Sequence, residues 1–591
     1  MSEIKFTRRE GDAPESRPAE PESAAPPPRE PRPRRSLPGD RGHGEIPRRA
    51  VGPIDHLLLI AIAAVLTLMV WFTMGGLGMT WDEAYYFEPH RDAVRWVHDL
   101  INGTIDPLTG HDPYWEEISE LPALPRLISG FSGALFEGSW IARRNLLAPL
   151  VAQRMLTGVL LGLNCWLIAC LLLRPLGLGP AIVAMLAYGT MPRVFGHAHF
   201  AATETLMTTM TLLVTASFLW GLRSWRGAIV TGVLFGLALN TKFNLALLPI
   251  PLWIWAWARH RQRCADNMMA MTFIAPLTWI ATWPWLWTNT AERIIDHLRH
   301  FLVHQQTAVW FHGQRWGYGE VNAPMIYPLE MIAVTTPLWT LLLVVIGLAV
   351  CWRRRDDDGR FTLFALLALI PLAVASMPGT PRYDGARLFF PVLAPMALLA
   401  GLGVAAIRDR FRSPRWRLGA VAAMGVLLTL PSLWGILRIH PCELSFFNLA
   451  VGGIRGASDR GYEMTWWCEA VNEPVIAHLN SLPEGSTIRP LALQGMVFEH
   501  LQAWGVLDPD LQFVSPPQGA TDYHILQNRR GFFGTTEAFL WDHWMPENTR
   551  HFGWPRGSET PVVSMVAVAE TGPAFEQARI AHIQSLEEGN P

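Results

Sequence analysis

From His56 to Met79 the chain runs for about 24 residues without a full charge. As a helix rising about 1.5 Å per residue, that stretch crosses a hydrocarbon core about 30 Å thick with some tilt. Comparable apolar runs follow at about 149–173, 177–195, 204–222, 227–241, 243–258, 267–287, 324–350, 361–377, 387–407 and 418–437. The pattern predicts a mainly α, polytopic membrane protein of about eleven transmembrane helices. Charged residues make up 17% of the chain and hydrophobic ones 50%, where a soluble protein of this size carries nearer about 25% charged. The formal net charge of −2 gives no basic footprint for nucleic acid.

The arginines orient the spans. Dense groups at Arg32/Arg34/Arg35/Arg48/Arg49, Arg223/Arg226, Arg259/Arg261/Arg263, Arg353/Arg354/Arg355 and Arg408/Arg410/Arg412/Arg415/Arg417 all fall on one side if eleven segments cross. The positive-inside rule makes that side cytoplasmic. The expected layout is therefore a multi-pass protein of the cytoplasmic (inner) membrane, N-terminus inside and C-terminus external or periplasmic. Residues 1–50, rich in Pro, Arg, Glu and Ser, are expected to be disordered, and their polarity argues against a cleavable signal peptide. Residues 51–437 form the transmembrane part. Residues 438–591 alternate strand-like runs (487–493, 523–527, 561–568) with helical ones (497–506, 537–543) and are expected to form a small external α/β domain. In the first external loop Val94, Val97, Leu100 and Ile101 recur at helical spacing, which predicts an amphipathic helix in the interface. Cys442 and Cys468 both fall in the external part. They either form a disulfide there or remain two unpaired thiols.

Four groups of polar residues lie at the expected outer boundary. Asp82 and Glu83 follow the first span. Adjacent carboxylates there are costly to desolvate, so one serves as a base or metal ligand, or Asp82 simply caps a helix. His197 and His199 precede Glu204, which opens a span; an H-x-H pair is a weak metal signal, and a helix-opening Glu can be satisfied by local N–H groups. Lys242 is one of two lysines in the chain, the other being Lys5. Set between two short apolar runs and flanked by Asn240 and Asn244, it marks either an anion site at a helix break or a lysine that snorkels to the interface. Finally, Arg382, Tyr383, Asp384 and Arg387 occupy a short outer turn. Arginines on that side run against the charge bias and suit a phosphate, unless they pair with Asp384 or with headgroups. The loop 288–323 adds His297, His300, His304 and His312, most of them expected in the interface.

These residues carry a resemblance. Asp82-Glu83, Glu204, the stretch Gly236-Leu237-Ala238-Leu239-Asn240-Thr241-Lys242-Phe243-Asn244, Pro284-Trp285-Leu286-Trp287, Tyr383-Asp384-Gly385-Ala386-Arg387-Leu388-Phe389 and His440-Pro441-Cys442-Glu443-Leu444-Ser445-Phe446-Phe447-Asn448 are similar to segments of the GT-C superfamily of membrane glycosyltransferases. Specifically, the chain resembles the family 39 protein mannosyltransferase type and the aminoarabinose transferases of lipid A, over roughly residues 54–470. The resemblance implies an inverting transfer of a sugar from a polyprenyl-phosphate carrier to a protein or glycolipid acceptor at the outer face of the bilayer. It implies Asp82 as principal catalytic carboxylate, with Glu83 and Glu204 in support. Lys242, Arg382 and Arg387 would neutralise the phosphate, in a site shared with Tyr383, Asp384, His197 and His199. It leaves room for a divalent metal near the phosphate, with His304 as its positional candidate. Glu at 204 stands where that family often has Asp, which shifts the carboxylate by one methylene. The alternative is a flippase or transporter of lipid-linked sugars; no internal repeat of the kind such proteins carry is visible.

Overall fold

The computed structural model describes residues 51–587, apart from 107–108, 117–120, 303–306, 318–321, 354–358, 515–519 and 559. The stretch 1–50, expected to be disordered, and His304 lie outside the described residues.

Every apolar run in the sequence contains helix, but the runs differ in how they are built. Four of the described helices are long and apolar enough to cross a membrane: Pro53–Phe72, Ala148–Leu176, Arg387–Arg408 and Pro414–Ile439. A fifth crossing arises if Tyr327–Thr335 and Leu338–Arg353, bent by 120° where Thr336 meets Pro337, count as one span. The expectation of eleven regular spans is thus not met by length and composition alone, for local reasons. The run 227–241 yields a helix of 15 residues, Trp225–Leu239. The run 243–258 starts as a 3-10 turn, Phe243–Leu247, before the helix Pro249–His260. The run 267–287 is divided among Ala265–Met269, a π turn at Ala270–Ile274, Ala275–Ala281 and the 3-10 turn Pro284–Trp287. Proline opens two of these pieces and stands second in Ala275–Ala281, as its missing N–H and fixed φ favour.

Helices Pro53–Phe72 and Pro414–Ile439 bury only 28% and 22% of their apolar windows and present Leu57, Val65, Phe72, Val426, Leu430 and Trp434 outward. In a bilayer that face meets lipid, and helical hydrogen bonding satisfies most of the backbone behind it. The helices Leu338–Arg353 and Leu393–Arg408 approach closely through glycines. A Cβ at Gly347 would lie 2.0 Å from the Leu399 carbonyl oxygen, and one at Gly403 2.3 Å from that of Leu343. Small residues permit this contact between membrane helices.

The helix predicted after the first span is Trp81–Ile101. Its buried face is carried by Phe87, Ala93 and Trp96, whereas Ile101 is exposed, so the apolar stripe is rotated from the one read in the sequence.

The strands are a short hairpin, β1 (Val309–Phe311) with β2 (Gln314–Trp316), and a five-stranded sheet. The sheet contains β3 (Thr487–Leu491), β4 (Gln512–Phe513), β5 (Tyr523–Gln527), β6 (Arg550–Trp554) and β7 (Val563–Glu570) in the order β4-β3-β5-β7-β6. β3 runs parallel to β4 and β5, and β7 is antiparallel to β5 and β6. Helices Gly495–Ala503 and Gly572–Glu587 accompany it. The α/β character expected of 438–591 is present, but no break in packing falls at 437/438, because residues 50–591 form one compact unit. Trp81 N donates to Trp467 O at 2.7 Å, and His500 Nε2 lies 3.0 Å from Ala84 O. Cys442 and Cys468 are separate, buried thiols, so the disulfide alternative is not realised.

Candidate active site

A cavity of about 720 Å³ opens where the Trp81–Ile101 helix meets the turn before Arg387. The polar part of its lining includes Asp82, Lys242, Tyr383, Asp384, Arg387 and Arg529, and the aliphatic part includes Leu247, Leu248, Leu367, Pro371, Val374 and Val392.

Asp82 and Glu83 go separate ways because consecutive helical residues do not share a face. The N-cap is Thr80, not Asp82. Thr80 Oγ1 accepts from Glu83 N at 3.2 Å, and Glu83 Oε2 accepts from Thr80 N at 3.0 Å, a capping box. Glu83 also binds Arg154 through both carboxylate oxygens (2.7 and 2.6 Å), and its Oε1 accepts from Ala201 N at 2.8 Å. Both side chains of that pair are fully buried, and Glu83 does not line the cavity. Asp82 is left uncommitted to the cap and faces the cavity, at the positive end of its helix.

Lys242 is placed by the expected helix break. After Leu239 the chain leaves helical geometry; Asn240 Nδ2 donates to Trp279 O at 3.0 Å, and Asn244 Nδ2 to Leu388 O at 3.3 Å. Lys242 Nζ then reaches Glu204 Oε1 at 3.1 Å and Thr203 Oγ1 at 3.3 Å. Glu204 itself is buried beneath the cavity and holds both Lys242 and Arg387, whose Nε donates to the same oxygen at 3.1 Å. It therefore positions cations, with its second oxygen Oε2 buried and unpartnered.

Arg387 is the hub. Its Nε meets Glu204, its Nη1 meets Asp384 at 3.0 Å, and its Nη2 meets Asp82. The guanidinium lies 4.0 Å over the Trp467 ring. Trp467 is in turn held by Glu469, which accepts its N–H at 2.6 Å. Asp384 adopts a left-handed backbone (φ 52°), as does Gly385 (φ 63°), a conformation Asp tolerates better than most residues. That turn lets its carboxylate bridge two arginines: Arg387 at Oδ2 and Arg529 Nη2 at Oδ1, the latter at 2.7 Å.

Arg529 was not legible as a site residue. It follows the carboxyl end of β5 and lies 3.8 Å over Phe532 and 5.4 Å from the Trp81 ring. The crevice beyond the carboxyl ends of parallel strands is a recurrent binding position, and a strand ending in Gln527-Asn528-Arg529 was the available hint.

Other expected residues lie elsewhere. His197 packs edge-on to Phe390 and Trp467. His199 meets Thr73 Oγ1 at 2.9 Å and Phe195 O at 2.8 Å. Neither lines the cavity. Burial pushes the His197 imidazole down to about 3 and that of His199 down to about 4, so both are neutral and bring no charge to a phosphate. Arg382 is spent on the backbone, donating to Ala323 O at 2.8 Å and Met377 O at 2.7 Å; it shapes the turn from behind. Tyr383 does line the cavity, as do His297 and His300 from the neighbouring helix Thr290–Leu302.

Three carboxylates (Asp82, Glu204, Asp384) thus meet three cations (Lys242, Arg387, Arg529), leaving the polar part without net charge. Among the described residues no group of three His, Cys, Asp or Glu side chains is arranged to hold an ion. Asp82, Glu204 and Asp384 are each paired with a cation, while Glu204 Oε2 has no partner.

No family model matches the chain, and no curated protein matches it. Among solved structures it is similar to ArnT from Cupriavidus metallidurans bound to undecaprenyl phosphate, with TM-score 0.48 and 14% identity over 87% of this chain and 97% of that one. It is also similar to the Archaeoglobus fulgidus oligosaccharyltransferase in the apo form (TM-score 0.44, 11% identity, 78% and 62% covered). A third is the arabinofuranosyltransferase AftD from Mycobacteria (TM-score 0.37, 15% identity, 82% and 37% covered). None of these scores reaches 0.5.

Proposed function

We propose that this chain is a membrane glycosyltransferase that moves a sugar from a polyprenyl-phosphate carrier to an acceptor hydroxyl at the outer face of the bilayer. The single observation that carries the reading is the cavity's mixed lining: Asp82 and Asp384 beside Lys242, Arg387 and Arg529, together with aliphatic side chains such as Leu247, Leu248, Leu367 and Val374. A lipid phosphate ester likewise joins a charged head to an aliphatic tail.

The chemistry follows from the charges. The acceptor oxygen attacks the anomeric carbon as the bond from that carbon to the phosphate oxygen breaks, and the electron pair leaves with the phosphate. The departing phosphate is a weak base and needs positive charge rather than a proton; Lys242 and its arginine neighbours supply it. Asp82 takes the acceptor's proton. One displacement on one face inverts the anomeric centre. Acceptors of this kind are protein or glycolipid hydroxyls, and the bias of the arginine clusters supports a protein of the cytoplasmic membrane with its C-terminal part external.

Burial holds the Asp82 carboxyl above its ordinary range, outweighing the opposing pull of Arg387. A raised value means that Asp82 takes up its proton, and loses its function as a base, at a higher pH than an ordinary carboxylate of about 4. The acid limb of kcat/KM is therefore expected above that value, with rates falling as pH drops through it. A limb at or below the ordinary value would remove Asp82 as the base. The reading as a whole is tested with purified protein and radiolabelled polyprenyl-phosphate sugars, alongside mass spectrometry of envelope glycans and proteins with and without the gene. Carrier translocation without any glycosylated product would replace the transferase by a transporter.

A further inference from the structure

Arg387 dominates the polar part of the site, yet each of its three guanidinium nitrogens is already donating to a carboxylate, which leaves only the second N–H of each terminal nitrogen for a phosphate. Lys242 has two acceptors, Thr203 and Glu204, for three ammonium donors. Arg529 is less committed still. It lines the cavity, its Nη2 donates to Asp384 at 2.7 Å, and its buried Nε has no partner. Its side chain is only 3% exposed, so an unspent donor there is costly unless a ligand fills it.

The guanidinium is also held in place. Phe532 lies against it at 3.8 Å and Trp81 at 5.4 Å, Asp384 fixes one edge, and Gly531 N is anchored by Glu463 Oε1 at 2.8 Å. A planar, permanently charged group so fixed presents its remaining N–H groups to a phosphate with little entropy left to lose.

Resting on the reading above, we infer that Arg529, contributed by the α/β part of the chain, binds the carrier phosphate together with Lys242, while Arg387 serves mainly to hold Asp82, Glu204 and Asp384 in register. The ligand class is an alkyl phosphate monoester or diester. Its source is either a membrane-borne polyprenyl chain or free phosphate, and the aliphatic part of the cavity lining favours the former.

The test measures binding of a long-chain polyprenyl phosphate, and separately of inorganic phosphate, to detergent-purified full-length protein by native mass spectrometry. Wild type, Arg529→Lys and Arg529→Met are compared, with melting temperature and donor KM against kcat for each. The expected result is that Arg529→Met weakens polyprenyl-phosphate binding about tenfold or more and raises donor KM by a similar factor. Arg529→Lys should recover part of both, and inorganic phosphate should bind far more weakly than the lipid. Unchanged binding and KM in a folded Arg529→Met would overturn the inference while leaving the transferase intact. So would a loss matched by a fall in melting temperature that Arg529→Lys does not rescue. If binding depends on Arg529 but wild type transfers no sugar, the transferase reading fails and the binding role stands. Inorganic phosphate binding as tightly as the lipid would overturn the assignment to a lipid-borne source.

Discussion

Asp82→Asn is expected to cut sugar transfer by about 10²–10⁴-fold, the range a positioned general base contributes, while the protein still inserts, folds and binds carrier. Asparagine nearly matches the shape of aspartate but cannot take the acceptor's proton. Asp82 also sits outside the capping box, which Thr80 and Glu83 complete between themselves, so the helix start does not depend on it. Its loss leaves Arg387 with Glu204 and Asp384, so no cation is stranded. The measurement is turnover of radiolabelled donor by purified variant and wild type at matched carrier occupancy. Full turnover in the variant would take Asp82 out of the mechanism.

One residue along, Glu83→Ala is expected to do the reverse of a clean catalytic lesion: to destabilise the protein by about 3–5 kcal/mol, the cost of stranding one partner of a buried ion pair. Arg154 would then sit fully buried with its charge unmatched, donating to Gly78 O at 2.7 Å. The carboxylate half of the capping box on the Trp81–Ile101 helix and the anchor on Ala201 N would go as well. Thermal melts in detergent and the yield of monodisperse protein measure this. Glu83→Gln, which keeps much of the hydrogen bonding, should fall between. A Glu83→Ala protein that melts like wild type yet transfers no sugar would instead move Glu83 into the chemistry.

How much of this was legible in the sequence depends on what kind of signal each residue carried. Asp82, Lys242 and Arg387 stood out because a charge beside a long apolar run is expensive, and the structure brings all three to one cavity with Glu204 beneath it. The break at Asn240–Asn244 was equally legible, from two asparagines flanking a lysine. The different fates of Asp82 and Glu83 were readable too, since Thr80-Trp81-Asp82-Glu83 spells a capping box, although the adjacent acids drew more notice. The positions of His197, His199 and Arg382 were not readable, because packing against Phe390, Trp467 and backbone carbonyls leaves no periodic trace. Nor was Arg529, one arginine in a polar tail whose partner lies 145 residues earlier. The count of eleven spans is not confirmed where π and 3-10 turns break apolar runs that hydropathy reads as continuous.

The Asp384 bridge has a consequence for the order of synthesis. It joins an arginine three residues along to one 145 residues along, while that nearer arginine reaches back 305 residues to Asp82. The chain must therefore be made as far as residue 529 before Asp384 can hold both arginines at once, so the last of these pairings forms long after the first residues of the group have left the ribosome.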